Sequence, residues 1–591
     1  MKLSDYVIEF LVKHDVHHIF EVIGGAITHL LDSAIGRTDV QCVSVHHEQT
    51  GAFAAEAYAR MNGKLGVAMA TSGPGALNLL TGVGSCYFDS VPCLFITGQV
   101  NTYEYKFDKA VRQIGFQETD IVSIAKPLTK YAELVVDAQK IRFHLEKAVF
   151  IAQNGRPGPV LLDLPMNIQR AQIDPQNLTS FFDTDEYRRM LRTAPLNVQS
   201  VTDVVDALKD AKRPVILAGG GVRTSGAVAD FQDVVQITGI PVVTSLMGLD
   251  ALFHEHPAFF GMIGSYGNRY SNLTVANADL VLILGSRLDS RQTGTRPDTF
   301  ARAAKKIHVD VDPLELNAKI HAEIAIQADL KDFLKALKNG LSGYQKSDLS
   351  AWYATINGFR KKYPTVLPAP LTGEINPNQF MELLSHRSGE GDIICLDVGQ
   401  NQMWAAQSFA LKKAQRLITS GGMGSMGFAL PAALGVAKSS ERRTIVIAGD
   451  GGIQMNIQDL DTIVKQRLPV KIFIMNNGCL GMVRQMQDMY FGGRRQSTVI
   501  GYSCPNLTKI AEAYGIPSFT IASMERAEDA INKALTGEGP AFVEVMLRQD
   551  TQVNPKLVVN RPIEDMSPHL DRKELKDIML IDLAEDKDFE K

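Results

Sequence analysis

Short runs of β-branched and aliphatic residues alternate with helical spacings along most of the chain. The clearest case spans 444–482. An apolar run at 444–448 ends in Gly449-Asp450-Gly451, and a second run at 470–475 ends in Asn476-Asn477. Between them Ile463 and Val464 follow Leu460 at spacings of three and four, the stripe of one helix face. The pattern predicts a strand, a crossover helix and a second strand parallel to the first. The same alternation recurs with runs at 42–45, 65–70, 91–97 and 160–164, then at 215–218, 242–244, 280–284 and 307–311. Polar stretches at 175–195 and 343–377 read as linkers, the second with a helix around Trp352. The chain thus divides into blocks 1–180, 196–345 and 378–550 and a tail, 551–591, with few apolar clusters, whose end at 585–591 is expected to be mobile. Strands alternating with helices in every block predict an α/β protein of three doubly wound parallel-sheet domains.

Composition narrows the class without naming the chemistry. The 591 residues are 45% hydrophobic and 21% charged, with net charge −4. That balance predicts no nucleic-acid partner and no membrane surface. No apolar run is long enough to span a bilayer, and the amphipathic pattern of Val7, Phe10 and Leu11 is a helix rather than a secretory segment. The six cysteines lack any C-x-x-C pairing, so they read as reduced thiols in a cytoplasmic protein.

Candidate chemistry gathers at strand ends. Asp450 and Asn477 follow two parallel strands, where open α/β sheets bind ligands. A carboxylate, an amide oxygen and a loop carbonyl make a hard oxygen set suited to Mg²⁺ and a phosphate group. Gly449, Gly451 and Gly452 would let backbone N–H groups approach the phosphate oxygens, although a tight turn beside an Asn-rich loop accounts for the same residues. Glu48 follows the 42–45 run and opens a helix, a position where a carboxylate also serves as a plain helix cap. Gly422, Gly424 and Gly427 have the spacing of a dinucleotide fingerprint, but no acidic residue follows at the next strand end to take a ribose. Ala218 to Arg223, AGGGVR, also follows a strand and fits either a nucleotide site or a helix-entry turn.

Taken together, Gly449-Asp450-Gly451 with Asn476-Asn477 resembles the thiamine diphosphate signature. Longer motifs carry the resemblance further: TSGPGALNLLTGVGSCYFDSVPCLFITGQV at 71–100, IGFQETDIVSIAKPLTKY at 114–131, DVGQNQMWAAQ at 397–407, SGGMGSMGFALPAALG at 420–435 and NNGCLGMVRQ at 476–485. Over 1–550 the chain is similar to the acetohydroxyacid synthase (acetolactate synthase) large-subunit family. The resemblance implies an N-terminal pyrimidine-binding domain, a central FAD-type Rossmann-like domain and a C-terminal diphosphate-binding domain. It implies thiamine diphosphate, Mg²⁺ and a structural FAD as cofactors.

Residue roles are implied position by position. Glu48 is the carboxyl group that protonates the aminopyrimidine ring, a task a Glu in an apolar pocket can perform. Gln99 lies near the reacting carbonyl, and Phe116, Gln117 and Lys130 sit on the substrate side. Asp450, Asn477 and Cys479 hold the metal. Gly25, Gly399, Gln400, Asn401, Gly424, Met426, Gly449, Gly451, Gly452, Gly481 and Met482 hold the thiamine cofactor, with Met426 as the apolar wedge. Gly219, Gly220, Thr244, Leu246, Met247, Gly285, Arg287, Asp310 and Asp329 match the flavin positions. Arg291 matches the arginine that clamps a ketoacid carboxylate.

The match departs at three places, the first two of which line the acceptor pocket. Ser265-Tyr266 stands where the family carries Met-His, Met486 where it carries Trp, and Val22-Ile23 where it carries Tyr-Pro. The expected activity is therefore decarboxylation of pyruvate and transfer of the acetyl unit to a second carbonyl, a 2-ketoacid first. A nucleotide-linked keto-sugar is the alternative acceptor. Pyruvate oxidation, simple decarboxylation and an inert regulatory scaffold are weaker readings. A homodimer or homotetramer with active sites between subunits is expected; a regulatory small subunit is an open alternative that no motif indicates.

Overall fold

The computed structural model describes residues 1–191, 196–367 and 372–584. The expected mobile end at 585–591, and parts of the two expected linkers, lie outside the described residues. Three six-stranded parallel sheets carry the fold. The first contains β1 (His18–Val22), β2 (Gln41–Ser44), β3 (Gly66–Ala70), β4 (Cys93–Gln99), β5 (Tyr131–Leu134) and β6 (Val160–Pro165), in the spatial order β2-β1-β3-β4-β6-β5. The second contains β7 (Pro214–Ala218), β8 (Val242–Thr244), β9 (Phe259–Met262), β10 (Leu280–Leu284), β11 (Lys305–Asp310) and β12 (Ile324–Gln327), in the order β12-β11-β10-β7-β8-β9. The third contains β13 (Ile393–Leu396), β14 (Arg416–Thr419), β15 (Thr444–Gly449), β16 (Val470–Asn476), β17 (Ser518–Ile521) and β18 (Ala541–Met546), in the order β14-β13-β15-β16-β18-β17. The continuous apolar runs are the central strands, buried on both faces as parallel sheets require. Edge strands such as β5 and β17 are only half-buried, so their sequences carry a weaker signal.

The third sheet is shared between two cores. Ile445 and Ile447 join the cluster that holds Leu282, Leu284 and Phe333 of the central block, whereas Val446 and Ala448 join the cluster of Phe20, Ala52 and Phe53. Alternate side chains of one strand point to opposite faces, so a single apolar run welds two neighbours to it. On the N-terminal side the helices Glu48–Asn62 and Ala429–Ser440 cross closely. A Cβ on Gly435 would fall 2.0 Å from the Ala54 carbonyl oxygen, so only glycine permits this approach. Phe53 and Phe428 meet edge to face with centroids 5.2 Å apart, an arrangement worth about 0.5–1.5 kcal/mol beyond the area buried.

The connecting segments are more ordered than their polarity suggests. Phe181, from the first expected linker, is fully buried against Phe143 and Phe150. Trp352 in the helix Ser350–Lys362 is buried, and its indole N–H donates to the Pro214 carbonyl at 3.1 Å. The tail is not a loose end up to residue 584: Val553, Leu557, Ile563, Met566 and Leu575 are buried, and Ile563 and Leu575 pack into a core of the central block. Spaced too irregularly to show helical or strand period, these side chains find partners only in the tertiary structure.

Candidate active site

At the third sheet the chain order reverses between β13 and β15, and their carboxyl ends open a crevice. Asp450 follows β15 and Asn477 follows β16, which pair in parallel with Gly449 opposite Met475. Asp450 is buried; the Tyr502 hydroxyl donates to its Oδ2 at 2.6 Å. Burial pushes this carboxyl up to about 6, opposed by Tyr502 and by backbone N–H groups that include Asn477's. Among the described residues no cationic side chain pairs with it. The Asn477 amide donates to Gln400 Oε1 at 2.9 Å, and its own oxygen accepts a long, 3.3 Å bond from the Cys479 N–H. A carboxylate buried without a counter-ion among the described residues, beside an amide oxygen held only by long bonds from the Cys479 N–H and thiol at 3.3 and 3.4 Å, fits a hard divalent cation.

The remaining cofactor candidates line the same crevice. Gly399 precedes the helix Gln400–Ser408 with φ of 153°, and Gln400 and Asn401 are buried behind it. Asn401 donates to the Asp397 and Ile447 carbonyls at 2.8 and 3.2 Å, which holds the turns after β13 and β15 together. A Cβ on Gly481 would strike Gln400 and Asn477, and one on Gly451 would come within 3.4 Å of the Met426 methyl group. Met426 therefore sits over the turn that carries Asp450. Met482, one residue on from Gly481, packs against the core.

Two residues missed in the sequence position this loop. Asp397 is buried and accepts from the N–H groups of Val398, Gly427 and Ala429 at 2.7, 3.0 and 3.3 Å. It fixes the turn that holds Gly424 and Gly427, both at positive φ. Asp89, at the end of the helix Pro74–Asp89, accepts from Gly421 N–H at 2.9 Å and Gly422 N–H at 2.7 Å. Its fully buried side chain is paired with Arg60, which also binds Glu56. The first could have been suspected from a carboxylate at the end of the 393–396 apolar run; the second has no sequence signal.

The N-terminal candidates form a separate group at the carboxyl ends of the first sheet. Gly25 follows β1, with open space where a Cβ would lie. Glu48 starts its helix half-buried and accepts from Asn78 at 3.0 Å; among the described residues that partner belongs to its own block, not to the diphosphate crevice. Gln99 is buried, and both hydrogens of its amide are engaged, by Asp163 and by the Thr119 carbonyl, each at 2.8 Å. Burial raises Asp163 to about 7. Gln99 therefore has an oxygen lone pair, not an N–H, to offer a ligand. Lys130 is a sharper departure from the expectation of a substrate-side residue. Its ammonium donates to the carbonyls of Ile151, Asn154 and Arg156 at 2.5, 2.8 and 2.7 Å and so closes the end of the helix Ile141–Gln153. All three of its hydrogens are engaged. Phe116 is 85% exposed, and the adjacent Gln117 has φ of 62°.

The acceptor candidates lie between the third and second sheets. Arg291 is exposed on the short helix Ser290–Thr293, its guanidinium 5.5 Å from the centre of the Tyr266 ring. Met486, on the helix Gly481–Tyr490, is 46% exposed beside a cleft of about 700 Å³ that Val483, Phe491 and Ile500 also line.

The flavin candidates converge on the switch point of the second sheet, between β7 and β10. Gly219 and Gly221 are packed against Gly285, whose carbonyl oxygen would lie 2.2 Å from a Gly219 Cβ. Those two glycines serve backbone contact, whereas Gly220 faces Met247. Leu246 and Met247 form the turn after β8, and the buried Thr244 hydroxyl has no hydrogen-bond partner among the described residues. Asp310 is raised to about 6 by burial at the end of β11. Asp329 caps the helix Leu330–Gly340, and Arg287 lies beside Gly422. The unpartnered hydroxyl and the switch-point crevice fit a bound nucleotide.

Comparison with known proteins agrees with this geometry. Residues 1–124, 201–337 and 397–545 match the N-terminal TPP binding, central and C-terminal TPP binding domains of thiamine pyrophosphate enzymes. The chain is 37% identical over 584 residues to acetolactate synthase 2, chloroplastic, of Nicotiana tabacum, covering 96% of this chain and 85% of the relative. It is 35% identical over 564 residues to the acetolactate synthase large subunit of Lactococcus lactis, covering 95% of each, and 34% identical to that of Porphyra purpurea over 562. The crevice at Asp450 and Asn477 and the full-length similarity lead to one conclusion: this chain belongs to the acetolactate synthase family of thiamine diphosphate-dependent, C–C bond-forming transferases.

Proposed function

We propose that the protein decarboxylates pyruvate and transfers the resulting acetyl unit to the carbonyl of a second 2-ketoacid. The observation that carries this reading is the buried Asp450 carboxylate, without a cationic partner among the described residues and aligned with Asn477 at paired strand ends. In it, Asp450, Asn477 and the Cys479 carbonyl hold Mg²⁺, and the turns at Gly399 and Gly449–Gly452 present N–H groups to the diphosphate. Thiamine diphosphate, when bound, supplies the electron sink for both the loss of CO₂ and the new C–C bond. Glu48 donates a proton to the pyrimidine nitrogen. Met426 would bear on the cofactor, the Gln99 amide oxygen would accept from a hydroxyl on the reacting group, and Arg291 would hold the acceptor carboxylate. The Thr244 pocket takes a flavin in a structural role.

Because Glu48 makes no contact with the crevice among the described residues, the reading includes a second copy of the chain that brings its Glu48 to Asp450. Exposed Ile23, Phe116, Met423 and Met486 supply an apolar surface for that copy to cover. The six free thiols support residence in a reducing compartment such as the cytosol. The deciding experiment is product analysis with pyruvate as sole substrate. Acetolactate formation supports the reading; CO₂ release only when another ketone is added redirects the acceptor, and free aldehyde or oxygen uptake overturns carboligation.

A further inference from the structure

The tail segment after β18 runs back between the helix Gly481–Tyr490 and the loops of the central block. Arg484, wholly buried, donates to the Thr551 carbonyl at 2.6 Å, and Gln485 exchanges hydrogen bonds of 2.9 Å with both backbone groups of Val553. Leu557 N–H donates to the Ser265 carbonyl at 2.7 Å. This strap presents Lys556, whose residue surface is 7% exposed. Its ammonium stands 5.8 Å from the centre of the Tyr266 ring and 5.6 Å from that of Tyr490. Arg291 stands 5.5 Å from the same Tyr266 ring. Among the described residues neither cation is paired with a carboxylate, and neither side chain has a hydrogen-bond acceptor.

Two like charges about one ring repel each other. Burial and the neighbouring Arg291 both disfavour the charged Lys556. Cation–π attraction to the two rings offsets only part of the cost of partly desolvating the ammonium beside a second cation. An anion between the cations would offset the difference. The position is that of the acceptor: Met486 lies one helical turn before Tyr490, and Tyr266 is one of the residues at which the chain departs from its family's pattern.

We propose that Lys556 is a specificity-determining residue that binds a second anionic group on the acceptor, so that the preferred acceptor is a carbonyl compound with two anionic groups, one at Arg291 and one at Lys556. This rests on the carboligase reading above. A carboxylate or a phosphate oxygen would satisfy Lys556, and the difference lies in the acceptor rather than in the site.

The test uses the full chain loaded with thiamine diphosphate and Mg²⁺, with pyruvate as donor. Acceptors are 2-oxopentanoate, its dianionic analogue 2-oxoglutarate, and a nucleoside-diphosphate keto-sugar. The expected result is a kcat/KM at least tenfold higher for one of the two dianionic acceptors than for 2-oxopentanoate. Which one is preferred identifies carboxylate or phosphate as the second group. In Lys556→Met that ratio falls at least tenfold, and Lys556→Arg restores most of it. General damage to the fold would lower all three rates and leave the ratio in place. A wild-type ratio near one for both dianions, or a ratio unchanged in Lys556→Met, overturns the inference; the latter accompanied by loss of oligomer makes Lys556 an interface residue. Equilibrium binding of each dianion without pyruvate separates the two readings. A tenfold weaker Kd in Lys556→Met supports the inference even if no carboligation is seen, an outcome that would sink only the carboligase reading, while equal Kd values overturn the inference.

Discussion

The diphosphate crevice and the Glu48 region are built to different degrees within one chain. Around Asp450 nearly every group is buried and held: Asn401 ties two turns together, Asp397 gathers three N–H groups, and Asp89 reaches from another block to fix Gly421 and Gly422. Around Glu48 the side chains are open, with Ile23 68% and Phe116 85% exposed. The difference teaches that the crevice at Asp450 is preorganised by backbone groups and buried oxygens within the single chain. The Glu48 region is open in the single chain, and under the proposed function a second copy would cover it.

Substitutions can break that comparison or sharpen it. The largest effect is expected from Glu48→Gln, which should lower turnover by about 10²–10⁴-fold, the range for a positioned acid, while calorimetric binding of thiamine diphosphate persists. Retained turnover would dissolve the distinction between the two regions. Next, Asp89→Ala should cost about 3–5 kcal/mol in urea unfolding, because it strips a buried ion network and leaves the Gly421 and Gly422 N–H groups unpaired. A loss below about 1 kcal/mol would show that the crevice is not preorganised from the N-terminal block.

Asp450→Asn should weaken Mg²⁺-dependent cofactor binding by about 10–100-fold, measured as the Mg²⁺ dependence of calorimetric titrations. Binding that ignores Mg²⁺ in the unaltered protein would remove the metal from this crevice. A pH-dependent effect concerns Asp163, beneath Gln99. Its folded carboxyl titrates near 7 against an ordinary 3.8, so the native state keeps a proton that the unfolded chain loses between those values. Stability should therefore fall as pH rises across that window, by up to about 1.4 kcal/mol per pH unit, and level off above it. Asp163→Asn should flatten this slope in pH-dependent melting; an unchanged slope would assign it to other groups.

Legibility in the sequence followed burial and locality. Strands β8 and β10 occupy the residues their apolar runs mark, and Asp450 and Asn477 stand at strand ends as their neighbours indicate. Lys130 and Gln99 were legible as residues of a motif but not as to what they touch, since their partners at Ile151, Asn154, Arg156 and Asp163 are set by how a helix end and a strand meet. The tail offered no periodicity at all, because its apolar side chains pack singly into gaps left by other elements.

The sequence by itself determined the three parallel sheets and the oxygen donors at their ends, for hydrophobic period and turn chemistry are local properties. Only the tertiary structure decided that Asp89 reaches across to the glycine loop, and that Lys556 arrives beside Arg291 and Tyr266. Contacts between residues hundreds of positions apart depend on how whole sheets pack, and no short window of sequence encodes that distance.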